Sequence, residues 1–198
     1  MKGDRMSKFI LASASPRRRE ILENIGLNFE VLVSEADESK IDRNLPPEMV
    51  VSELAMLKAA AVADTLCGDY FVIGADTVVS LDGKILEKPV DEADAGRMLN
   101  SLSGRTHSVY TGVCIYSTKN GMAVCKYQKT DVTFKKLSPE KIDAYIKTKE
   151  PMDKAGSYGI QGKGSLLIEE IKGDYFNVVG LPVALLADMF SEEFSVEI

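Results

Sequence analysis

Short apolar runs alternate with amphipathic segments along this chain. Apolar runs bounded by turn residues predict strands, and apolar residues spaced three and four positions apart predict helices. Strands are predicted at residues 9–12, 29–33, 70–75, 77–81, 84–86, 166–171 and 175–179, with a hairpin at about 109–134. Helices are predicted at residues 17–25, 46–67, 91–102, 138–150 and 182–190. Hairpins mixed with helical crossovers favour an α/β fold whose sheet is mixed and partly antiparallel.

Composition narrows the class of protein. The chain has 198 residues, of which 45% are hydrophobic and 27% charged, and its formal net charge is −6. This length suits a single domain over residues 1–198, with two lobes around one cleft. The negative charge argues against a general nucleic-acid binder but permits a local basic pocket for a small anion. Residues 1–8 lack the apolar core of a signal peptide and no apolar run reaches membrane-spanning length, so we expect a cytoplasmic protein without membrane association.

The cysteines and the histidine restrict the chemistry. Cys67, Cys114 and Cys125 show neither CxxC nor zinc-like spacing, which favours buried, reduced thiols. His107 is the only histidine, so a site with several histidine ligands is excluded, and a Ser-His-Asp triad would have to use His107. A metal ion bound here should therefore be a hard cation such as Mg²⁺ or Mn²⁺, held by carboxylates, water and phosphate oxygens.

The loop before the first helix has an unusual charge pattern. Ser15 suits the N-cap and Pro16 the first helical position, but Arg17 and Arg18 follow in the first turn. Cations there oppose the helix dipole, which favours anions. A bound polyanion would offset that cost, since phosphate accepts hydrogen bonds from helix N–H groups and from arginine forks. A capped surface helix with solvated arginines remains an equally open interpretation at this point.

Three further charged residues stand out. Asp76 interrupts an apolar strand, where a carboxylate is costly unless it is paired, metal-bound or in a cleft, although it could simply bond a nearby backbone N–H. Lys58 lies within the apolar stripe of the long helix, where it either extends to solvent or points into a cleft. Lys88, before Pro89, is equally compatible with an ordinary surface position.

A glycine-rich segment near the C-terminal end does not match a nucleotide-binding loop. Gly162-Lys163-Gly164-Ser165 superficially resembles a P-loop, but Ser157 stands where that motif requires glycine, and a strand-like run follows instead of a helix. What remains is a backbone able to approach a flat ligand closely.

Taken together, these segments resemble the Maf family of nucleoside triphosphate pyrophosphatases. The motifs occur in the family's order over nearly the whole chain, with only a short extension before Met6. The segments that carry the resemblance are Leu11–Arg18, Gly74–Val79, Lys88-Pro89, Leu102–Gly104 with His107, Tyr110–Val113, Ala155–Gly162 and Gly173–Pro182. The resemblance implies an elongated mixed sheet flanked by helices with a central cleft, similar to the inosine triphosphatases, and a homodimer.

The same resemblance implies roles for individual residues. Asp76 would accept the proton of the attacking water, and Glu38 together with Asp76 would hold a divalent metal ion, Mg²⁺ or Mn²⁺. The residues implied to line the phosphates are Ser13, Arg18, Lys58 and Lys88. The residues implied to distinguish dTTP and UTP from 7-methyl-GTP are Arg17, Thr77 and Gln161.

We therefore expect hydrolysis of pyrimidine nucleoside triphosphates, including modified ones, to the monophosphate and pyrophosphate. The alternative is a nucleotide-binding regulator without catalysis, because the family was first connected with septum formation. The presence of both Asp76 and Glu38 favours catalysis, since anion binding alone has little use for two carboxylates.

Overall fold

The computed structural model describes residues 8–198; the predictions about a signal peptide and the extension before Met6 fall largely on residues outside that range. Apart from four short 3₁₀ helices, the described elements are six α-helices and seven strands. In chain order they are β1 (Lys8–Leu11), α1 (Pro16–Asn24), β2 (Phe29–Val31), α2 (Pro47–Ala63), β3 (Tyr70–Leu81), β4 (Lys84–Leu86), α3 (Glu92–Leu102), β5 (Thr106–Ser117), β6 (Ala123–Phe134), α4 (Pro139–Ile146), β7 (Ile168–Lys172), α5 (Tyr175–Val179) and α6 (Val183–Phe194).

One seven-stranded sheet organises these elements. Its order is β2-β1-β3-β5-β6-β7, and β4 pairs with β3 beside that path. The pairs β1–β2 and β1–β3 are parallel, whereas every other pair is antiparallel. The predicted mixed, partly antiparallel α/β sheet is thus confirmed.

The strand β3 is open along part of one edge. Strand β5 pairs with one edge of β3 over Phe71–Ser80. Strands β1 and β4 therefore share the other edge, where β1 pairs with Tyr70–Ile73 and β4 with Val79–Leu81. Residues 74–78 lie between these two pairings, in an interval that we call the β3 gap. Successive side chains of a strand point to opposite faces of the sheet. Within the β3 gap, side chains from both faces of the sheet can therefore reach the same opening.

Helix α2 packs unusually close to one face of the sheet. A Cβ on Gly74 would lie 2.2 Å from the carbonyl oxygen of Ala55, and a Cβ on Gly112 would meet the α2 backbone at the same distance. Only glycine fits at either position. This close approach brings Lys58, one turn after Ala55, next to Asp76, which follows Gly74 on the same face of β3.

The other face of the sheet is covered by the remaining helices, over two apolar clusters. One cluster joins α1 and α6 to the sheet around Leu22, Leu186 and Phe190. The second joins α3 and α4 to it around Leu99 and Phe134. Among residues 8–198 no helix is long and apolar enough to cross a membrane.

Some local predictions were wrong. Residues 175–179, predicted as a strand, form the helix α5, because the side chain of Asp174 accepts a hydrogen bond from the backbone N–H of Phe176 and caps the turn. The two strands predicted around Asp76 are one continuous strand, β3. Ser15 occupies the N-cap position of α1 without a capping side-chain hydrogen bond, and its own N–H donates to Ser13 Oγ at 3.2 Å.

The expectation of buried, reduced cysteines was also wrong, except that Cys114 is fully buried. Cys114 and Cys125 stand directly opposite each other in the β5–β6 ladder and form a disulfide, whereas Cys67 is exposed. Opposite positions on antiparallel strands place two Cβ atoms within disulfide reach, a relation that the sequence spacing alone did not reveal.

Candidate active site

A cleft of about 390 Å³ opens at the β3 gap. It lies between the β1–α1 loop, α2 and the segment 153–161. All of the residues predicted as catalytic, substrate-binding, specificity-determining or metal-binding line it: Ser13, Arg17, Arg18, Glu38, Lys58, Asp76, Thr77, Lys88 and Gln161. The fold thus collects into one cavity side chains from across the first 161 residues of the chain.

The α2 side of the cleft carries a carboxylate–ammonium–carboxylate arrangement. Lys58 Nζ lies 2.5 Å from Asp76 Oδ1 and 3.1 Å from Glu38 Oε1. The side chains of Lys58 and Asp76 are only 14% and 15% exposed, so this lysine points into the cleft instead of extending to bulk solvent. The ammonium compensates both carboxylates, which makes a largely buried aspartate on a strand tolerable.

An outer ion pair holds Glu38 from the other side. Arg43 Nη2 lies 3.6 Å from Glu38 Oε2, and its Nε lies 3.5 Å from Glu87. These side chains are a third or more exposed, so each contact contributes little to stability. These contacts instead orient Glu38, which has one carboxylate oxygen towards Lys58 and the other towards Arg43.

The opposite side of the cleft is formed by Arg18. Its guanidinium donates to the carbonyl of Gly180 at 2.7 Å, to Ser13 Oγ at 3.2 Å and to Thr77 Oγ1 at 3.1 Å. Burial lowers the pKa of Arg18, an effect that nearby Asp76 opposes. Arginine keeps its charge in proteins even so. The cleft therefore contains a fixed, buried cation.

Further charged and polar residues lie at the rim of the cleft, between its two sides. Arg17 Nη1 lies 3.5 Å from Asp153 Oδ2, and Asp153 also accepts a hydrogen bond of 2.6 Å from Lys154 Nζ. Lys88 and Gln161 line the same cleft as exposed residues. The site thus presents several cations around two carboxylates, an arrangement suited to a phosphorylated anion.

Comparison with known proteins agrees with these motifs. Residues 8–193 match the family described as Maf-like protein. The chain belongs to the Maf family. Two Maf relatives carry the name dTTP/UTP pyrophosphatase. The protein from Bacillus cereus is 52% identical over 93% of this chain and 89% of its own length. That from Moorella thermoacetica is 52% identical over 94% of this chain and 95% of its own length.

Solved structures give a weaker likeness. The Staphylococcus aureus Ham1 protein is 14% identical, covers 65% of this chain and 72% of its own, and has a TM-score of 0.43.

His107 lies behind the cleft of this Maf protein and not in it. Its Nε2 is 2.6 Å from Tyr158 Oη, and its ring meets those of Tyr158 and Phe134 edge to face. Tyr158 itself lines the cleft. Burial lowers the pKa of His107 to about 4 and raises that of Tyr158. The neutral imidazole therefore supports one side of the cleft without entering it.

We expect this buried histidine to make stability depend on pH. Its pKa is about 4 in the folded protein but 6.5 when exposed, so the unfolded chain takes up the proton first as the pH falls. The free energy of unfolding should therefore be unaffected by His107 above pH about 6.5 and fall by about 2 kcal/mol by pH about 5. Urea unfolding at the two pH values measures this. His107→Gln should show a smaller decrease; equal decreases in both proteins would contradict the assignment.

The carboxylates of the cleft fit a hard divalent cation. Among residues 8–198 no three or more His, Cys, Asp or Glu side chains are close enough to hold a metal by themselves. Asp76 and Glu38, however, both direct an oxygen towards Lys58 Nζ, a positive charge. Mg²⁺ commonly uses only one or two protein carboxylates, with water and substrate phosphates as its other ligands. This donor set is therefore compatible with a metal that arrives with a nucleotide.

Several residues of the site were not predicted as functional residues from the sequence. Asp153 and Lys154 line the cleft but look like an ordinary charged pair in a polar segment. Thr111 and Asn177, both fully buried, hold the Arg18 side of the cleft from behind. The sequence pointed to Thr111 and Asn177 only because they lie in the motifs Tyr110–Val113 and Gly173–Pro182. No chemical role was assigned to those two motifs.

Proposed function

We propose that this protein hydrolyses dTTP and UTP to the nucleoside monophosphate and pyrophosphate. The observation that carries the proposal is the position of Asp76: a carboxylate on the open edge of β3, facing a cleft lined by Lys58, Lys88 and Arg18. The names of relatives that share about half of their residues with this chain support the choice of substrate.

The cations are proposed to hold the triphosphate. Arg18 presents a planar fork to phosphate oxygens, while Lys58 and Lys88 act as point charges. Ser13 Oγ accepts hydrogen bonds from Ser15 N–H and from Arg18, so its own proton remains for a phosphate oxygen. Charge that develops on the α-phosphate and on the leaving pyrophosphate is what such fixed positive groups stabilise.

Asp76 is proposed as the general base. Its carboxylate takes a proton from a water molecule whose oxygen attacks the α-phosphorus. The bond from that phosphorus to the bridging oxygen breaks, and the electron pair leaves with pyrophosphate. With the single histidine of the chain behind the cleft and hydrogen-bonded to Tyr158, a carboxylate is the suitable base.

We propose that Asp76 and Glu38 hold a Mg²⁺ or Mn²⁺ ion together with the substrate. Bound there, the ion would neutralise negative charge on the phosphates. This proposal is supported by the two carboxylates, which both direct an oxygen towards the same positive charge, Lys58 Nζ.

Base selection is assigned to Arg17, Thr77 and Gln161. We expect Gln161→Ala to narrow the preference for dTTP over 7-methyl-GTP, because an exposed amide at the cleft rim can discriminate base edges by hydrogen bonds. The ratio of kcat/KM for the two nucleotides should fall by about 10-fold. Gln128→Ala, in β6 away from the cleft, is the control. An unchanged ratio in Gln161→Ala would remove this residue from the specificity set.

The test of the proposed function is turnover of a nucleotide panel. Common ribonucleoside and deoxyribonucleoside triphosphates, 5-methyl-UTP and 7-methyl-GTP are each incubated with the protein and Mg²⁺, and pyrophosphate is separated from orthophosphate. Pyrophosphate from dTTP and UTP is the expected result. Tight nucleotide binding without turnover would instead favour the regulator.

The remaining assignments are proposals of the same kind. We place the protein in the cytoplasm as a homodimer whose residues act as one domain around one cleft, and we assign it no nucleic-acid partner. The acidic net charge of −6 supports the last point, and the family resemblance supports the dimer. Light scattering of the purified protein measures the number of subunits.

A further inference from the structure

Helix α5 and the turn after it have no assigned role, although Val178, Val179 and Gly180 line the cleft. Asn177, in α5, is fully buried, and its side-chain Nδ2 donates to the carbonyl of Val109 and to Thr130 Oγ1, each at 3.0 Å. Thr130 in turn donates to the carbonyl of Asp174 at 3.0 Å. These bonds fix α5 against β5 and β6, and with it the backbone carbonyls of Asn177 and Gly180.

A chain of hydroxyl groups runs from one of these carbonyls to Arg18. Thr111 Oγ1 donates to the carbonyl of Asn177 at 2.9 Å and lies 2.9 Å from Thr77 Oγ1. Thr111 is fully buried in β5 and does not line the cleft. Its single proton is used on Asn177, so it must accept the proton of Thr77.

The direction of the whole chain follows from this assignment. Since Thr77 donates to Thr111, Thr77 Oγ1 can only accept from Arg18 Nη2, which lies at 3.1 Å. Arg18 thus donates to Thr77, Thr77 donates to Thr111, and Thr111 donates to the carbonyl of Asn177. Each of the two hydroxyl protons is used once. Thr77 therefore presents no proton to the cleft, and its oxygen acts there only as an acceptor.

The same contacts determine which Arg18 protons remain. Arginine has five N–H donors, and three contacts here use Nε, Nη1 and Nη2 once each, on Gly180, Ser13 and Thr77. One N–H on each terminal nitrogen is left, and these two protons can be donated to phosphate oxygens. The guanidinium is thus held at three points with its remaining pair available.

We propose that Thr111 is a positioning residue for catalysis: its hydroxyl, fixed by the Asn177 carbonyl, holds Thr77 and through it the phosphate-binding guanidinium of Arg18. The proposal rests on the proposed function, in which Arg18 binds the triphosphate. Displacing a positioned group by about 1 Å can cost about 100-fold in rate, so a hydroxyl remote from the substrate can still matter.

The test is a double-mutant cycle between Thr111 and Arg18. Thr111→Val removes the hydroxyl at nearly constant volume, and Thr111→Ser retains it. We expect kcat/KM for dTTP to fall by about 10- to 100-fold in Thr111→Val and to stay close to wild type in Thr111→Ser. In the Arg18→Met background, adding Thr111→Val should cause no further loss, because its effect passes through Arg18.

The matched control is Thr106→Val. Thr106 lies in the same strand and its Oγ1 is 2.9 Å from Thr133 Oγ1 on β6, so it also belongs to a cross-strand threonine pair, but one at the surface. Its kcat/KM should equal that of wild type. If Thr111→Val does not fold, as judged by thermal denaturation, Thr111→Ala replaces it in the same cycle.

Two results would overturn the proposal: an unchanged kcat/KM in Thr111→Val, or an equal loss with and without Arg18. A wild-type protein that hydrolyses no nucleotide would refute the proposed function instead. The same variants are then compared by calorimetry for their affinity for inorganic tripolyphosphate. Thr111→Val should weaken that affinity only when Arg18 is present; equal affinities would again overturn the positioning role.

Discussion

Replacing Asp76 with asparagine is expected to lower turnover of dTTP by about 10³-fold with Mg²⁺ saturating. Asparagine has nearly the shape of aspartate and its amide oxygen can still accept the hydrogen bond of Lys58, which now measures 2.5 Å. It cannot take a proton from water, however. The expected loss therefore lies in kcat while the fold is retained, and initial rates together with a thermal unfolding curve measure both.

A suitable control is Asp82→Asn. Asp82 directly follows β3 and pairs with Arg105 at 2.7 Å, but lies outside the cleft. It should lose no activity. Near-normal turnover in Asp76→Asn would show that another group accepts the proton, and the assignment of the base would fail.

Replacing Lys58 with methionine is expected to lower turnover by about 100-fold while changing the free energy of unfolding by only about 1 kcal/mol. Methionine retains most of the aliphatic length within α2 but removes the charge proposed to contact the phosphates. Although the Asp76 side chain is only 15% exposed, the cost in stability stays small because its carboxylate lines the open cleft, where water can solvate it, and Glu38 is 44% exposed. Kinetics with dTTP and urea unfolding separate the two effects.

Lys126→Met is the matched control for this prediction. Lys126 also bridges two carboxylates, Glu192 at 3.2 Å and Glu193 at 3.0 Å, but at the surface. It should resemble wild type in both measurements. If Lys58→Met were strongly destabilised yet fully active per folded molecule, Lys58 would be a packing and ion-pairing residue only.

Four charged residues that line the cleft could be singled out from the sequence because each violates a local rule. Asp76 is a charge within an apolar strand, Lys58 a charge within an apolar stripe, and Arg17 and Arg18 are cations at the positive end of a helix. Each is costly alone, and the structure brings them to one cleft where the costs compensate. Misplaced charge was thus a useful sequence signal, and the motif resemblance supplied the roles of the remaining residues, Ser13, Glu38, Thr77, Lys88 and Gln161.

The features of the fold and of the site that were not predicted depend on tertiary contacts. Residues 175–179 are aromatic and β-branched and so favour a strand, but the Asp174 cap and the buried amide of Asn177 stabilise a helix against the sheet. The cross-strand partners of Thr111 and Cys114 are set by the register of β5, which no local pattern specifies. Polar residues that act on the cleft from behind therefore escaped sequence analysis.

In the proposed reaction, water activated by Asp76 attacks the α-phosphorus of a pyrimidine nucleoside triphosphate. Hydrolysis of dTTP in H₂¹⁸O, followed by mass analysis of both products, tests it most directly. We expect one ¹⁸O atom in dTMP and unlabelled pyrophosphate. Label in pyrophosphate, or release of labelled orthophosphate, would mean attack at the β- or γ-phosphorus and would contradict it.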